Sequence, residues 1–266
     1  QSPILSPYAV TADGSGVIWM TDPALNLLYR IDLPYRKIDH FSFMAGRTLA
    51  APTGIAYDPV RQRLYVANSG TAEILVFDEN KNFLLSLSPP DGFDRPGGLA
   101  VDHLGNLYVA DVLKGTVEVF SVGGRHVRTL GSRVNKDGKF NHPSYVAIDR
   151  QGRVFVVDSF NFRVEVLGID EEPPLTIGGL GDSAGSFARP RGIALDSLGH
   201  VYVSDAAFDN IQLFNRQGEL LLVLGQPGTG PDGFCMPAGL TFDPSDRLYV
   251  ADNCAHQVKI FQFLGD

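Results

Sequence analysis

Chemistry in this chain has to come from few side chains. It holds six histidines and two cysteines, and a catalytic zinc normally takes three protein ligands. His142 and His256 are the one pair able to reach a common surface, with Asp neighbours as extra donors. Two imidazoles are too few for a metal-assisted lyase or hydrolase, so no metal and no cofactor are expected. Neither a nucleophile elbow, nor a phosphate-cradling glycine loop, nor H-E-x-x-H is present. Cys-x-x-Cys-His is also missing, which excludes covalent haem.

Arg95, His142, Arg189 and Arg191 each stand directly beside a proline, at Pro96, Pro143 and Pro190. Planar guanidinium forks in an arc suit a carboxylate or an acidic peptide. The competing expectation is solvated arginines paired with nearby aspartates, since surface ion pairs are common and weak.

The elements that must position these residues are repeats. Six segments align: PYAVTADGSGVIWMTD (7–22), PTGIAYDPVRQRLYVAN (52–68), PGGLAVDHLGNLYVAD (96–111), PSYVAIDRQGRVFVVD (143–158), PRGIALDSLGHVYVSD (190–205) and PAGLTFDPSDRLYVAD (237–252). Their leading prolines, at 7, 52, 96, 143, 190 and 237, step by 44 to 47 residues. Such a period with strand patterning marks propeller blades. Each unit reads as a short apolar strand ending at an Asp, then a tight turn. A second strand follows, with one aromatic (Trp19, Tyr65, Tyr108, Phe155, Tyr202, Tyr249), and closes on Asp22, Asn68, Asp111, Asp158, Asp205 or Asp252. Asp13, Asp102, Asp149 and Asp196 open D-x-x-G turns, in which Asp holds the backbone and Gly takes positive φ. Third strands such as VEVF (117–120) and outer strands such as GELLLVLG (218–225) complete the unit, and no sustained helical period occurs. The small residues Thr11, Ala56, Ala100, Ala147, Ala194 and Thr241 fit a crowded axis.

These observations predict one all-β domain over residues 1–266, a six-bladed propeller of four-stranded antiparallel blades. The last unit stops after its third strand. Residues 1–6, with Ile4 and Leu5, are expected to supply its outer strand and cover an open edge; a leader stub is the alternative. The closing Asx ring recurs in every unit, which predicts structural capping of backbone rather than a lactonase-like cation site.

The pattern P-x-G-[IL]-A-[VL]-D-x-x-G-x-[LV]-Y-V-[AS]-D, with DSFNFRVEVL (158–167) matching a D-x-x-N-x-R-[IV]-x-[VIF] tail, resembles the NHL repeat. The likeness spans essentially the whole chain; the first unit departs most, with Tyr8-Ala9 and Trp19. That resemblance implies a six-bladed propeller but leaves activity open. Its members include RNA-binding modules, peptide-amidating lyases, receptor sensor domains and interaction scaffolds.

Cys235 lies two residues before Pro237 and Cys254 two after Asp252. Antiparallel neighbours place these ends side by side, so a disulfide is expected; reduced thiols and a metal pair are the alternatives. Such a bond persists outside the cytosol. With the Met-less start, it points to a periplasmic or secreted, bacterial protein. The longest aliphatic run is Leu220–Leu224, and the net charge is −8. Membrane insertion and nucleic-acid binding are therefore not expected. The reading is a non-enzymatic scaffold that binds a protein or peptide through its loop-rich face. Besides the basic arc, Tyr145, Phe160, Phe162, Phe208, Met236 and His256 are its contact residues. The competing class is a lyase or hydrolase using His142 and His256. Oligomeric state is not encoded in any of these signals.

Overall fold

A computed structural model describes residues 4–131, 140–168 and 175–262. Six antiparallel sheets stand in a ring, and the strands that begin at the repeated prolines lie innermost. Each inner strand packs against its counterparts in the two neighbouring sheets, and the first and last sheets close the circle. Among the described residues the only helix is the 3-10 turn Ser159–Asn161.

Five sheets have four strands, with outer strands Lys37–Phe41, Phe83–Leu87, His126–Leu130, Leu175–Ile177 and Leu220–Leu224. The sixth shows three described strands: Pro237–Phe242, Arg247–Asp252 and Gln257–Gln262. Residues 1–3 lie outside the described residues. Ile4, Leu5 and Ser6 form no strand on the sixth sheet. Instead the Leu5 and Ser6 amides donate to Asp22 Oδ2 at 2.8 and 3.0 Å. They fill the place that residues before the leading proline fill in other blades. The closure is both polar and apolar: Asn253 donates to Ser6 Oγ and the Pro7 carbonyl, the Gly239 amide donates to the Tyr8 carbonyl, and Val10 and Ile18 pack with Tyr249 and Ala251.

The repeated aspartates do what their spacing predicts. Asp102 Oδ1 accepts the amides of Leu104 and Asn106, and Asp196 Oδ1 those of Leu198 and His200. Gly105 and Gly199 supply the left-handed residue of each turn, at φ 86° and 81°. Between sheets, the alternating apolar residues of second and third strands pack face to face; Val66, Val109, Val156, Val203 and Val250 are fully buried. The inner strands hold the loops that carry the site.

Candidate functional site

Every blade turns its pre-proline loop and the loop after its second strand toward one face. The ring of buried Asx side chains fastens the two loops together. Asp205 accepts four backbone amides, from Ala188, Arg189, Ala207 and Phe208. Asp111 accepts those of Asp94 and Arg95, and Asp158 takes the Asn141 amide with the Asn161 and Arg163 side chains. Asn68 replaces the carboxylate once, receiving the Ala50 amide and donating to the Thr48 carbonyl and Thr71. Each of these four side chains thus takes at least one main-chain amide of its pre-proline loop, and Asp158 also takes the Arg163 guanidinium.

This bonding changes the meaning of the arginines. The aspartates hold Arg95 and Arg189 through main-chain N–H groups, not guanidiniums. Among the described residues Arg95, Arg189 and Arg191 make no ion pair. All three line a cavity of about 720 Å³ on this face, with Tyr8, His142, Ser144, Phe160 and Phe162. Among the described residues, no Asp or Glu lines it.

One wall is aromatic. The His142 ring stacks on Phe160, with centroids 4.2 Å apart and planes 24° from parallel, and Nδ1 meets Asn141 Oδ1 at 3.0 Å. Phe160 is 58% exposed. Two backbone positions aim these groups by adopting a conformation that bulky residues avoid: His142 at φ 54° and Phe162 at φ 56°. The position of Phe162 is left-handed in all six blades, where Asn26, Ala72, Gly115, Asp209 and His256 occupy it. A phenylalanine there is costly for the turn and departs from the repeat.

At the inner wall, Arg191 is half-buried and its guanidinium lies over the Tyr8 ring at 5.6 Å. Its Nη1 is buried without an acceptor. Burial pulls this guanidinium below its ordinary pKa, and the positive charge of Arg189 acts in the same direction. A hydroxyl relay fixes the Arg191 backbone: Ser159 Oγ donates to Ser144 Oγ, which donates to the Arg191 carbonyl at 2.7 Å.

Tyr145 is placed differently from the other proposed contacts. It is only 4% exposed, lies off this cavity, and lines the axial chamber of about 290 Å³ beneath it. The unit pattern puts Ala9, Gly54, Gly98, Gly192 and Gly239 at the equivalent position, so one tyrosine can occupy the axis that five small residues vacate. A Cβ on Gly98 would come within 2.6 Å of the Tyr145 Cα and ring; one on Gly239 would meet its hydroxyl at 2.8 Å. That hydroxyl has no hydrogen-bond partner, and burial drives its pKa upward. The break in the P-x-G pattern at Tyr145 is the sequence signal for this axial residue.

Phe208, Met236 and His256 belong to the fifth and sixth blades and do not line the cavity. Met236 donates its amide to Asp209 Oδ1 at 2.6 Å, and His256 Nδ1 meets the Leu5 carbonyl at 2.6 Å. His142 and His256 are therefore engaged on separate blades. No cluster of three His, Cys, Asp or Glu side chains suited to a metal occurs among the described residues. Cys235 and Cys254 form a disulfide with a Cα–Cα distance of 5.2 Å. It joins the pre-proline loop of the sixth blade to the end of its second strand, where the Cys254 amide also donates to the Cys235 carbonyl. No described helix is long and apolar enough to cross a membrane.

Known proteins agree on the architecture. The NHL repeat family model matches residues 187–214 and 234–261. Peptidyl-glycine alpha-amidating monooxygenase B of Xenopus laevis is 26% identical over 137 residues, covering 45% of this chain and 16% of that protein. The match thus spans less than a fifth of that relative's length. A Bacteroides thetaiotaomicron protein of unknown function superposes with a TM-score of 0.77 at 15% identity, over 97% of this chain and 69% of that one. A streptogramin B lyase gives 0.68 at 14% identity, over 97% and 93%. The nidogen/laminin complex contains a chain giving 0.73 at 18% identity, over 92% and 84%. At these identities the likeness to the solved structures concerns the fold alone.

Proposed function

Because this chain is a six-bladed β-propeller carrying NHL repeats, we propose that it is a non-enzymatic scaffold that binds a protein or peptide in the cavity of its loop-rich face. The observation that carries this reading is a cavity with three arginines, an aromatic wall and, among the described residues, no lining carboxylate, in a chain of net charge −8. Its volume lies within the range of ligand pockets. Its walls are loops tied to rigid sheets by the Asx ring, so little ordering cost attends binding. The disulfide supports an extracytoplasmic location, where such a bond endures.

A photo-crosslinking residue at Phe160 or at Leu104, on the opposite face, tests the reading in the native source. Adducts from Phe160 and none from Leu104 are expected; adducts from Leu104 alone, or from neither, overturn it. The partial match to an amidating monooxygenase favours an enzyme as second reading. Against it, His142 and His256 stand on separate blades, and His256 Nδ1 is held by the Leu5 carbonyl. Elemental analysis of the purified protein separates the two, since stoichiometric metal bound near the axis favours the enzyme.

A further inference from the structure

We infer that the group recognised in this cavity is a carboxylate, and that Arg191 is its specificity-determining seat. The inference rests on the proposed role of the cavity as a binding site and names the chemistry of what it binds.

Arg191 pays for burial without the partner that buried charges normally have. Its Nη1 has no acceptor, and its charged neighbour is another arginine rather than an acid. The Tyr8 ring offers a cation–π contact but no hydrogen bond. The hydroxyls nearby cannot donate to a ligand without giving up internal bonds. Ser144 donates to the Arg191 carbonyl, the single Ser159 hydroxyl proton is shared between Ser144 Oγ and the Pro190 carbonyl, and Thr53 donates to the Pro96 carbonyl. The charged free capacity of the site is thus guanidinium N–H, donors only, beside the neutral Tyr8 hydroxyl, Asn141 Nδ2 and His142 Nε2. A planar anion with two acceptor oxygens matches that fork, and would sit between Arg191 and Arg189 while relieving their repulsion.

The second feature of the ligand follows from the opposite wall. Phe160 and Phe162, with the His142 ring, present an apolar aromatic surface beside the guanidiniums. A carboxylate attached to, or adjoining, an apolar side chain satisfies both walls. Either a free chain terminus or an acidic side chain supplies this chemistry.

The test uses four acetylated dipeptide probes titrated into the purified chain by calorimetry at low salt. Acetyl-alanyl-phenylalanine carries a terminal carboxylate and has its amide as the neutral match. Acetyl-phenylalanyl-glutamate amide carries a side-chain carboxylate and has the glutamine form as its match. At least one acid is expected to bind tenfold or more tightly than its neutral match, and the better acid identifies the source. Arg191→Met, which keeps the apolar stem, should reduce that preference below twofold. Arg191→Lys should retain part of the preference, because charge survives but the fork does not. Circular dichroism establishes that each variant is folded.

Equal binding of acids and neutral matches, abolished by Phe162→Asn, leaves the cavity a binding site and overturns the carboxylate inference. A preference undiminished in folded Arg191→Met and Arg191→Lys overturns the role of Arg191. No binding by any probe at millimolar concentration overturns both readings.

Discussion

Replacing Asp205 by Asn alters one atom and tests how the loop-rich face is built. Oδ2 accepts the Ala188 amide at 2.8 Å and Oδ1 accepts those of Ala207 and Phe208 at 2.9 and 3.3 Å, while the Arg189 amide reaches both oxygens. An asparagine can keep its oxygen toward Ala207, Phe208 and Arg189, but its NH₂ then points donor to donor at Ala188. One charge-assisted bond is lost, worth about 1.5–3 kcal/mol, and those that remain weaken because their acceptor is neutral. The expected destabilisation is about 3 kcal/mol, drawn from the same range. Asn68→Asp is the reciprocal experiment. There Nδ2 donates to the Thr48 carbonyl at 3.2 Å and to Thr71 at 2.7 Å, and a carboxylate would face a carbonyl oxygen instead. The swap should cost about 2 kcal/mol. Urea denaturation measures both, with the slope unchanged and the midpoint lowered. If the ring instead coordinated a divalent cation, calcium would stabilise the wild type by linkage and Asp205→Asn would lose that gain. An Asp205→Asn midpoint equal to wild type, or a calcium-dependent one, refutes the capping argument.

Three further outcomes follow from particular contacts. Reducing Cys235–Cys254, which closes a separation of 19 residues, should lower stability by about 3 kcal/mol on the loop-closure argument; a Cys→Ser pair compared with wild type in urea measures it. Phe162→Asn places a residue tolerant of φ 56° at that turn, a gain of about 1 kcal/mol that roughly offsets the lost aromatic packing. Folding stability should stay within about 1 kcal/mol of wild type while partner binding falls; a large drop in melting temperature would show that Phe162 serves the core instead. At Asp243, burial raises the pKa, but the Arg247 amide and guanidinium, the Tyr249 hydroxyl and the Ser245 amide more than reverse this and leave it lowered. A lowered folded-state pKa stabilises above the ordinary carboxylate value, and that stability is lost as pH falls through the lowered one. The stability gap between wild type and Asp243→Asn should therefore narrow between pH 6 and pH 3, the unfolded carboxylate titrating near 4; a gap independent of pH would contradict the assignment.

Much of this was legible without coordinates, because the signals are local and repeated. The strand aromatics and the Asx ring recur in all six units and the D-x-x-G turns in four, and each unit makes its hydrogen bonds within itself or to its neighbour. The cysteine pair was equally accessible, since antiparallel register alone brings strand ends together. Of the segment expected to supply the outer strand, residues 4–6 form none, and Leu5 and Ser6 answer instead to the buried carboxylate of Asp22, an attraction that edge-strand reasoning does not weigh.

The face itself depends on distances between blades. Arg95 stands more than ninety residues from Arg189 and Arg191 in the chain, and no local pattern says whether an aspartate meets a guanidinium or a backbone amide. Folding of each blade answers that, giving the Arg95 and Arg189 amides to the carboxylates of Asp111 and Asp205, and closure of the ring then gathers three cations around one hollow. It likewise turns Tyr145 inward, because five small residues at the equivalent position leave the axis room for a single large ring. Periodic sequence specifies each wedge, since a wedge is made of neighbours in the chain. The site forms only when six wedges share an axis, for its residues meet across their gaps.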